Sequence, residues 1–198
     1  MPIIPQPLQS VYPPETVESK NSAPTQLKFA KKHDVRVEKY ALDYLGNQDV
    51  GLINLSIEDP NIDLATVGVS EESYELRVLD SSIEISARTT WGAIRSLATV
   101  WQAAKQGRLN PGLSIRDEPR FLWRGLMLDV ARHFIPLKTL RETVDRMSLL
   151  KLNVLHLHLC LLYTSDAADD GLGVDLGGRR IIKKKMGGGR WGAGGGGL

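Results

Sequence analysis

Between residues 129 and 158 the chain gathers side chains that could do chemistry. Asp129, Arg132 and His133 close one apolar run, Gly125 to Val130, and His156 and His158 sit inside another, Asn153 to Leu159. An arginine just past a strand can aim a planar five-donor fork at sugar hydroxyls or at a carboxylate. Asp129, on the opposite side of its run from Leu126, Leu128 and Val130, needs a partner, and Arg132 or His133 could supply one. It reads as half of a pair that orients the arginine. Histidines at i and i+2 of a strand project the same way and can share a zinc. Nothing near His156 and His158 supplies further ligands, so a hydrogen-bonded core pair competes with a metal site.

These residues need elements to position them. Leu137, Leu140, Val144, Met147 and Leu150 recur at three- and four-residue intervals and predict one apolar helical stripe, with Pro136 in its first turn. Leu155, Leu157 and Leu159 alternate with Val154, His156 and His158, which predicts a strand with one leucine face. Strand, helix and strand in under forty residues imply a parallel βαβ unit. In sheets and barrels of that kind, chemistry sits at the carboxyl ends of the strands, where Arg132 lies and Arg124 does not.

The run RGLMLDVARHFIPLKTLRETVDRMSLLKLNVLHLHL resembles the opening of the catalytic (β/α)8 TIM barrel of family 20 glycoside hydrolases, the β-N-acetylhexosaminidases. The LDVARHF and NVLHLHL segments carry the likeness most specifically. Residues 1 to 114 resemble, more loosely, the small α+β domain that precedes the barrel. The resemblance implies hydrolysis of terminal non-reducing N-acetyl-D-hexosamine by a retaining, substrate-assisted mechanism. It implies N-acetylglucosamine- or N-acetylgalactosamine-terminated glycans as partners, no cofactor and no metal. It matches Arg132 to the arginine that binds the hydroxyls of the terminal sugar and His158 to a histidine lining the active site; Asp129 and His133 would support them. The acid/base glutamate and its preceding aspartate lie on a later strand with no counterpart here. After HLHL an expected acidic pair is replaced by Cys160, Leu161 and Leu162. The expectation is therefore an inactive fragment of such an enzyme.

Four segments are expected: an extended lead-in over 1–24, an α+β domain over 25–114, the first βαβ unit of a truncated barrel over 115–159, and a tail over 160–198. The lead-in holds six of the ten prolines. Alternation predicts strands around Val35 and Val37, over Gly51 to Ile57 before an Asp59-Pro60-Asn61 turn, and in a hairpin of Tyr74, Leu76, Val78 with Ile83, Ile85, Ala87. Thr90 is expected to cap a helix from Trp91 to about Gln106, buried through Ile94, Leu97, Ala98 and Trp101 and stopped by Gly107. Pro/Gly punctuation from Arg108 to Trp123 marks a connection. The tail, with twelve of the nineteen glycines in its last 28 residues, has no strand or helix period and resembles translated sequencing-adapter read-through, so disorder is expected. Gly171-Leu172-Gly173 has the wrong spacing for a dinucleotide fingerprint.

Bulk properties narrow the alternatives. The net charge of +2 arises entirely in the tail, because residues 1–159 carry 19 Lys/Arg and 19 Asp/Glu. That balance gives no footing for nucleic acid or a membrane surface as partner. One cysteine excludes an internal disulfide. No signal peptide or run of ~18 apolar residues is visible, which leaves the compartment unknown; family relatives are usually secreted, periplasmic or lysosomal. Asn54-Leu55-Ser56 matches a glycosylation sequon inside a predicted strand, a poor acceptor. The competing functions are a metal-dependent barrel hydrolase using His156 and His158, and a non-catalytic α+β binding module.

Overall fold

A computed structural model describes residues 3–13, 23–31, 33–59, 71–159 and the backbone of 180–181. Among them the strands are β1 (Gln9–Val11), β2 (Gln26–Phe29), β3 (Leu52–Asp59), β4 (Tyr74–Val78), β5 (Ser82–Thr89), β6 (Ser114–Asp117), β7 (Gly125–Asp129), β8 (Val154–His158) and β9 (Arg180–Ile181). The helices are α1 (Val35–Leu45), α2 (Thr90–Lys105) and α3 (Leu137–Leu149). The fold is α+β with a mixed six-stranded sheet, order β1-β6-β4-β5-β3-β2, in which β2, β3 and β5 run parallel and the other pairs antiparallel. A smaller parallel sheet has the order β7-β8-β9.

Strict alternation builds the large sheet. Register sets Leu76 beside Ile85 and Ile115, and Ile85 beside Leu55, giving a continuous apolar row on one face. All four side chains are buried, each contributing roughly 1.5–3 kcal/mol. On the other face Asn54 donates to Glu84 across the strands (2.8 Å), which occupies the sequon's amide. The predicted hairpin forms as β4 and β5.

Three expectations change here. Val35 and Val37 lie in α1, not a strand: Asp34 caps the helix by accepting from Arg36 N (2.9 Å), and Val37, Tyr40, Ala41 and Leu45 form its buried stripe while Val35 faces out. Two β-branched residues could not override a capped 3.6-residue period. The cap of α2 is Thr89 rather than Thr90, and its Oγ1 accepts from Gly92 N (3.3 Å). Thr90 Oγ1 instead donates to Asp34 (2.7 Å), tying the starts of the two helices together. The lead-in and the connection are also more structured than their prolines implied. Ile3 enters the core, and β1 pairs with β6, which straddles the division expected at 114 and completes the sheet.

α2 is covered on two sides, by the sheet and by α1 and α3, so nearly its whole length is buried, whereas Trp101 is only partly so. Its first turn presses on the sheet at Gly92, where a Cβ would lie 2.4 Å from Ser73 O. In α3, Pro136 occupies the N-cap position and lies outside the first turn. Val144 and Met147 bury against Leu155, with Leu126, Leu128, Leu140 and Leu157 around them. Leu137 and Leu150, expected on that stripe, are exposed at its two ends, Leu137 opening the helix and Leu150 standing at its C-cap. The Asp59-Pro60-Asn61 turn beyond Asp59, Cys160 and Gly171-Leu172-Gly173 lie outside the described residues. So does most of the tail, except that Arg180–Ile181 pair with Val154 and Leu155, a short strand where none was expected.

Between the two sheets lies a charged cluster. Lys151 Nζ donates to Asp117 Oδ2 (2.6 Å) and to Tyr74 Oη (2.7 Å), and Tyr74 Oη donates to Asp117 (3.0 Å). Glu72 accepts from Arg95 Nε (2.8 Å) and from Arg124 Nη2. Burial pushes the Tyr74 phenol well above its usual pKa, with the Asp117 charge adding to it. Burial pulls the Lys151 ammonium down, against the opposing pull of Asp117. Lys151 has a φ of 61°. It stands just past the end of α3, where Lys151 N donates to Ser148 O and Leu152 N to Met147 O, a closing turn that usually takes glycine. A non-glycine residue there costs ~1–2 kcal/mol. The buried ammonium outweighs that cost, since removing one partner of a buried pair costs about 3–5 kcal/mol.

Two predictions follow from this packing. Lys151→Gly, which relieves the backbone, is expected to lower the unfolding free energy by ~2–4 kcal/mol in urea titrations; a stabilised variant would show that the backbone term dominates. Asp34, held down to about 2 by bonds from Arg36 and Thr90 that overcome the opposing effect of burial, contributes above its unfolded pKa of 3.8. That contribution disappears as pH falls toward 2. Because Arg36 is partly solvated, it amounts to ~1–2 kcal/mol. Wild type should lose that much more stability than Asp34→Asn between about pH 5 and 2.5; parallel pH profiles would contradict it.

Candidate active-site edge

The leucine face of β7 and β8 packs on α3, so the alternate residues Met127, Asp129, His156 and His158 share the opposite face. The parallel register sets Met127 beside His156 and Asp129 beside His158. Asp129 and His158 thus stand side by side at one carboxyl edge, with Met127 and His156 one step back.

Asp129 organises that edge. Its Oδ1 accepts from Ala131 N (3.0 Å) and Arg132 N (3.2 Å), which turns the chain directly after β7. Its Oδ2 lies 3.4 Å from Arg132 Nε. Partial desolvation works against ionisation, but the two backbone N–H groups and then the His158 and Arg132 charges hold its pKa below the ordinary value. The result is a standing carboxylate that orients Arg132 while leaving most of the guanidinium in solvent, 88% exposed. A planar donor fork presented this way can take two oxygens of a sugar or carboxylate.

His133 is exposed, with no hydrogen bond to Asp129 among the described residues. His158 is exposed opposite Asp129, and His156 is exposed one step back along β8. A core pair of histidines is therefore not what the structure shows: both imidazoles lie on the face that α3 leaves uncovered. Among the described residues no three His, Cys, Asp or Glu side chains converge as a metal-binding group, so the donor set for the metal-hydrolase alternative is incomplete there. Arg124 stands at the other end of β7, where it donates to Lys151 O (2.9 Å), Phe121 O (2.6 Å) and Glu72. It aims β7 by anchoring the strand's start.

The charged cluster was not anticipated from the sequence. Glu72 and Asp117 each stand at a strand edge among polar neighbours, so their burial depends on elements distant in sequence. The one local signal was Lys151 where α3 ends without a glycine.

The chain matches two family models. Residues 121–161 match "Glycosyl hydrolase family 20, catalytic domain", and residues 8–103 match "beta-acetyl hexosaminidase like". Beta-hexosaminidase 1 of Coccidioides posadasii is 41% identical over 123 residues, 59% of this chain and 20% of that protein. Beta-N-acetylhexosaminidase of Cellulomonas fimi is 41% identical over 93 residues, 45% of this chain and 19% of that protein. The crystal structure of an exo beta-N-acetylglucosaminidase from Vibrio harveyi, in complex with N-acetylglucosamine, superposes with a TM-score of 0.61 at 25% identity, covering 80% of this chain and 25% of that one. The chain thus spans about a fifth of the length of the curated relatives it matches. Both modules match in order, and sequence and fold agree in what they resemble: the chain is similar to two successive parts of glycosyl hydrolase family 20 enzymes.

Proposed function

We propose that this chain is part of a β-N-acetylhexosaminidase, an enzyme that removes terminal non-reducing N-acetylglucosamine or N-acetylgalactosamine from glycans. In this reading residues 25–114 form the supporting α+β domain. Residues 115–159 supply the first βαβ unit of a (β/α)8 barrel, and residues 160–198 are foreign to the enzyme. The observation that carries the reading is the parallel pairing of β7 and β8. It sets Asp129 beside His158 at the carboxyl ends, the edge on which barrels of this type bind substrate, with Arg132 held at the rim.

Arg132 grips hydroxyls of the terminal sugar, Asp129 fixes the guanidinium in place, and His158 lines the active site, with His133 in support. The reaction proceeds with retention. The substrate's 2-acetamido carbonyl attacks the anomeric carbon, a glutamic acid protonates the departing oxygen, and an aspartate stabilises the oxazolinium ion. The segment that follows NVLHLHL here holds Cys160, Leu161 and Leu162 in place of the expected acidic pair, and none of the residues named above serves as that glutamic acid or aspartate. In this reading the described residues supply sugar-contacting groups and leave the acid to another part of the enzyme, so that they alone are expected not to turn over substrate.

Purified chain is expected to release no chromophore from a chromogenic N-acetylglucosaminide above background; clear turnover would overturn the expected inactivity and leave the hexosaminidase reading standing. In a protein that joins this stretch to a complete family catalytic domain, Arg132→Met is expected to raise KM by roughly 10- to 100-fold, the loss of a charge-assisted hydrogen bond. An unchanged KM would remove Arg132 from the sugar site.

A further inference from the structure

The cleft between the two sheets, at the amino end of β7, has a use that glycan hydrolysis does not assign to it. It encloses about 220 Å³, room for a small ion with several waters at ~30 Å³ each. Its charges do not balance. Arg95, Arg120, Arg124 and Lys151 line it against Glu72, Asp117 and Glu118. Arg120 and Glu118 lie exposed at the mouth and offset each other. Inside, three cations face two carboxylates, because Glu72 alone serves both Arg95 and Arg124.

The surplus has a definite address. Arg124 spends Nε, Nη1 and Nη2 on Lys151 O, Phe121 O and Glu72, and Lys151 spends its ammonium on Asp117 and Tyr74. Arg95 is only 8% exposed, and its Nε donates to Glu72. Its Nη1 and Nη2 have no protein acceptor among the described residues, while the residue lines the cleft. A buried guanidinium with its terminal nitrogens free presents two donors at the spacing of two oxygens on one anion. A spherical ion would use that pair less well. Burial pulls Lys151 and Arg124 below their ordinary pKa values, and the like charge of Arg95 adds to the pull in both, in keeping with an uncompensated positive site.

We propose that this cleft binds a small oxyanion, of the phosphate, sulfate or carboxylate class, on the free nitrogens of Arg95. The bound anion neutralises the surplus charge and clamps the βαβ unit to the six-stranded sheet. The site is independent of whether the family's glycosidase activity is realised in this chain.

The test uses the full 198-residue chain and inorganic phosphate. At constant ionic strength, replacing chloride by about 20 mM phosphate is expected to raise Tm by about 3–5 °C, the effect of roughly a tenfold excess over Kd. Arg95→Lys keeps the charge that pairs with Glu72 but removes the fork, and it should abolish the phosphate increment. An increment equal to that of chloride, or one retained in Arg95→Lys, overturns the proposal. Should that variant fail to fold, the wild-type chain still decides the matter by NMR. The arginine Nε–Hε resonances of Arg95 and Arg124 should shift saturably with phosphate while that of surface Arg116 does not. Shifts no larger than those of Arg116 overturn it.

Discussion

Five charged groups and a phenol at the junction of the two sheets hold this structure in its arrangement. Lys151 closes on Asp117 and Tyr74, and Glu72 joins Arg95 of α2 to Arg124 before β7. Taking such groups from water costs several kcal/mol per ion, and only good geometry with most donors and acceptors filled offsets it. The cluster is thus a weak source of net stability but a strict condition on geometry. The six-stranded sheet, α2, the end of α3 and the start of β7 must meet in one arrangement, or a charge is left unpaired in a poorly polarisable interior. The buried apolar residues of α3 cluster with Leu155 and not with the core of the large sheet, and the polar ties Tyr44 to Asp145 and Gln102 to Leu149 O act with the charged cluster. Directional bonds set the angle at which β7 leaves the junction.

That angle matters at the strand's other end. Arg124 anchors the start of β7, and Asp129 closes its end by capping the backbone of the next turn. Arg132 is presented as a consequence of both. The same strand carries a structural arginine where the chain enters and a solvent-facing one where it leaves. Position along a parallel strand, rather than residue type, separates their roles.

Much of this was legible in the sequence because it is local. Alternation found β3, β4 and β5; the stripe from Leu140 to Met147 found α3; the Leu155/His156 alternation found β8 and its two faces. The spacing of Asp129, Arg132 and His158 named the edge on which they meet. The misses share a cause. α1 was hidden by Val35 and Val37, whose β propensity drew the eye from the Asp34 cap. β1 and β6 are short and lie among prolines, and each is fixed by partners distant in sequence: β6 pairs with β4, and β1 with β6 across a hundred residues. The charged cluster joins Glu72, Asp117 and Lys151, whose burial is decided by tertiary packing alone. Of the readings open for His156 and His158, the hydrogen-bonded core pair fails because the described chain leaves both exposed on the face opposite α3.

The central claim is that the buried charges make one cooperative body of the α+β layer and the βαβ unit. Native-state hydrogen exchange in low denaturant tests it most directly, by comparing amides of β7 and β8 with those of β4 and β5. The account predicts that both sets exchange through the same opening, with equal free energies that fall together in Lys151→Gly. Amides of β7 and β8 that open at a clearly lower free energy, unaffected by that substitution, would contradict it.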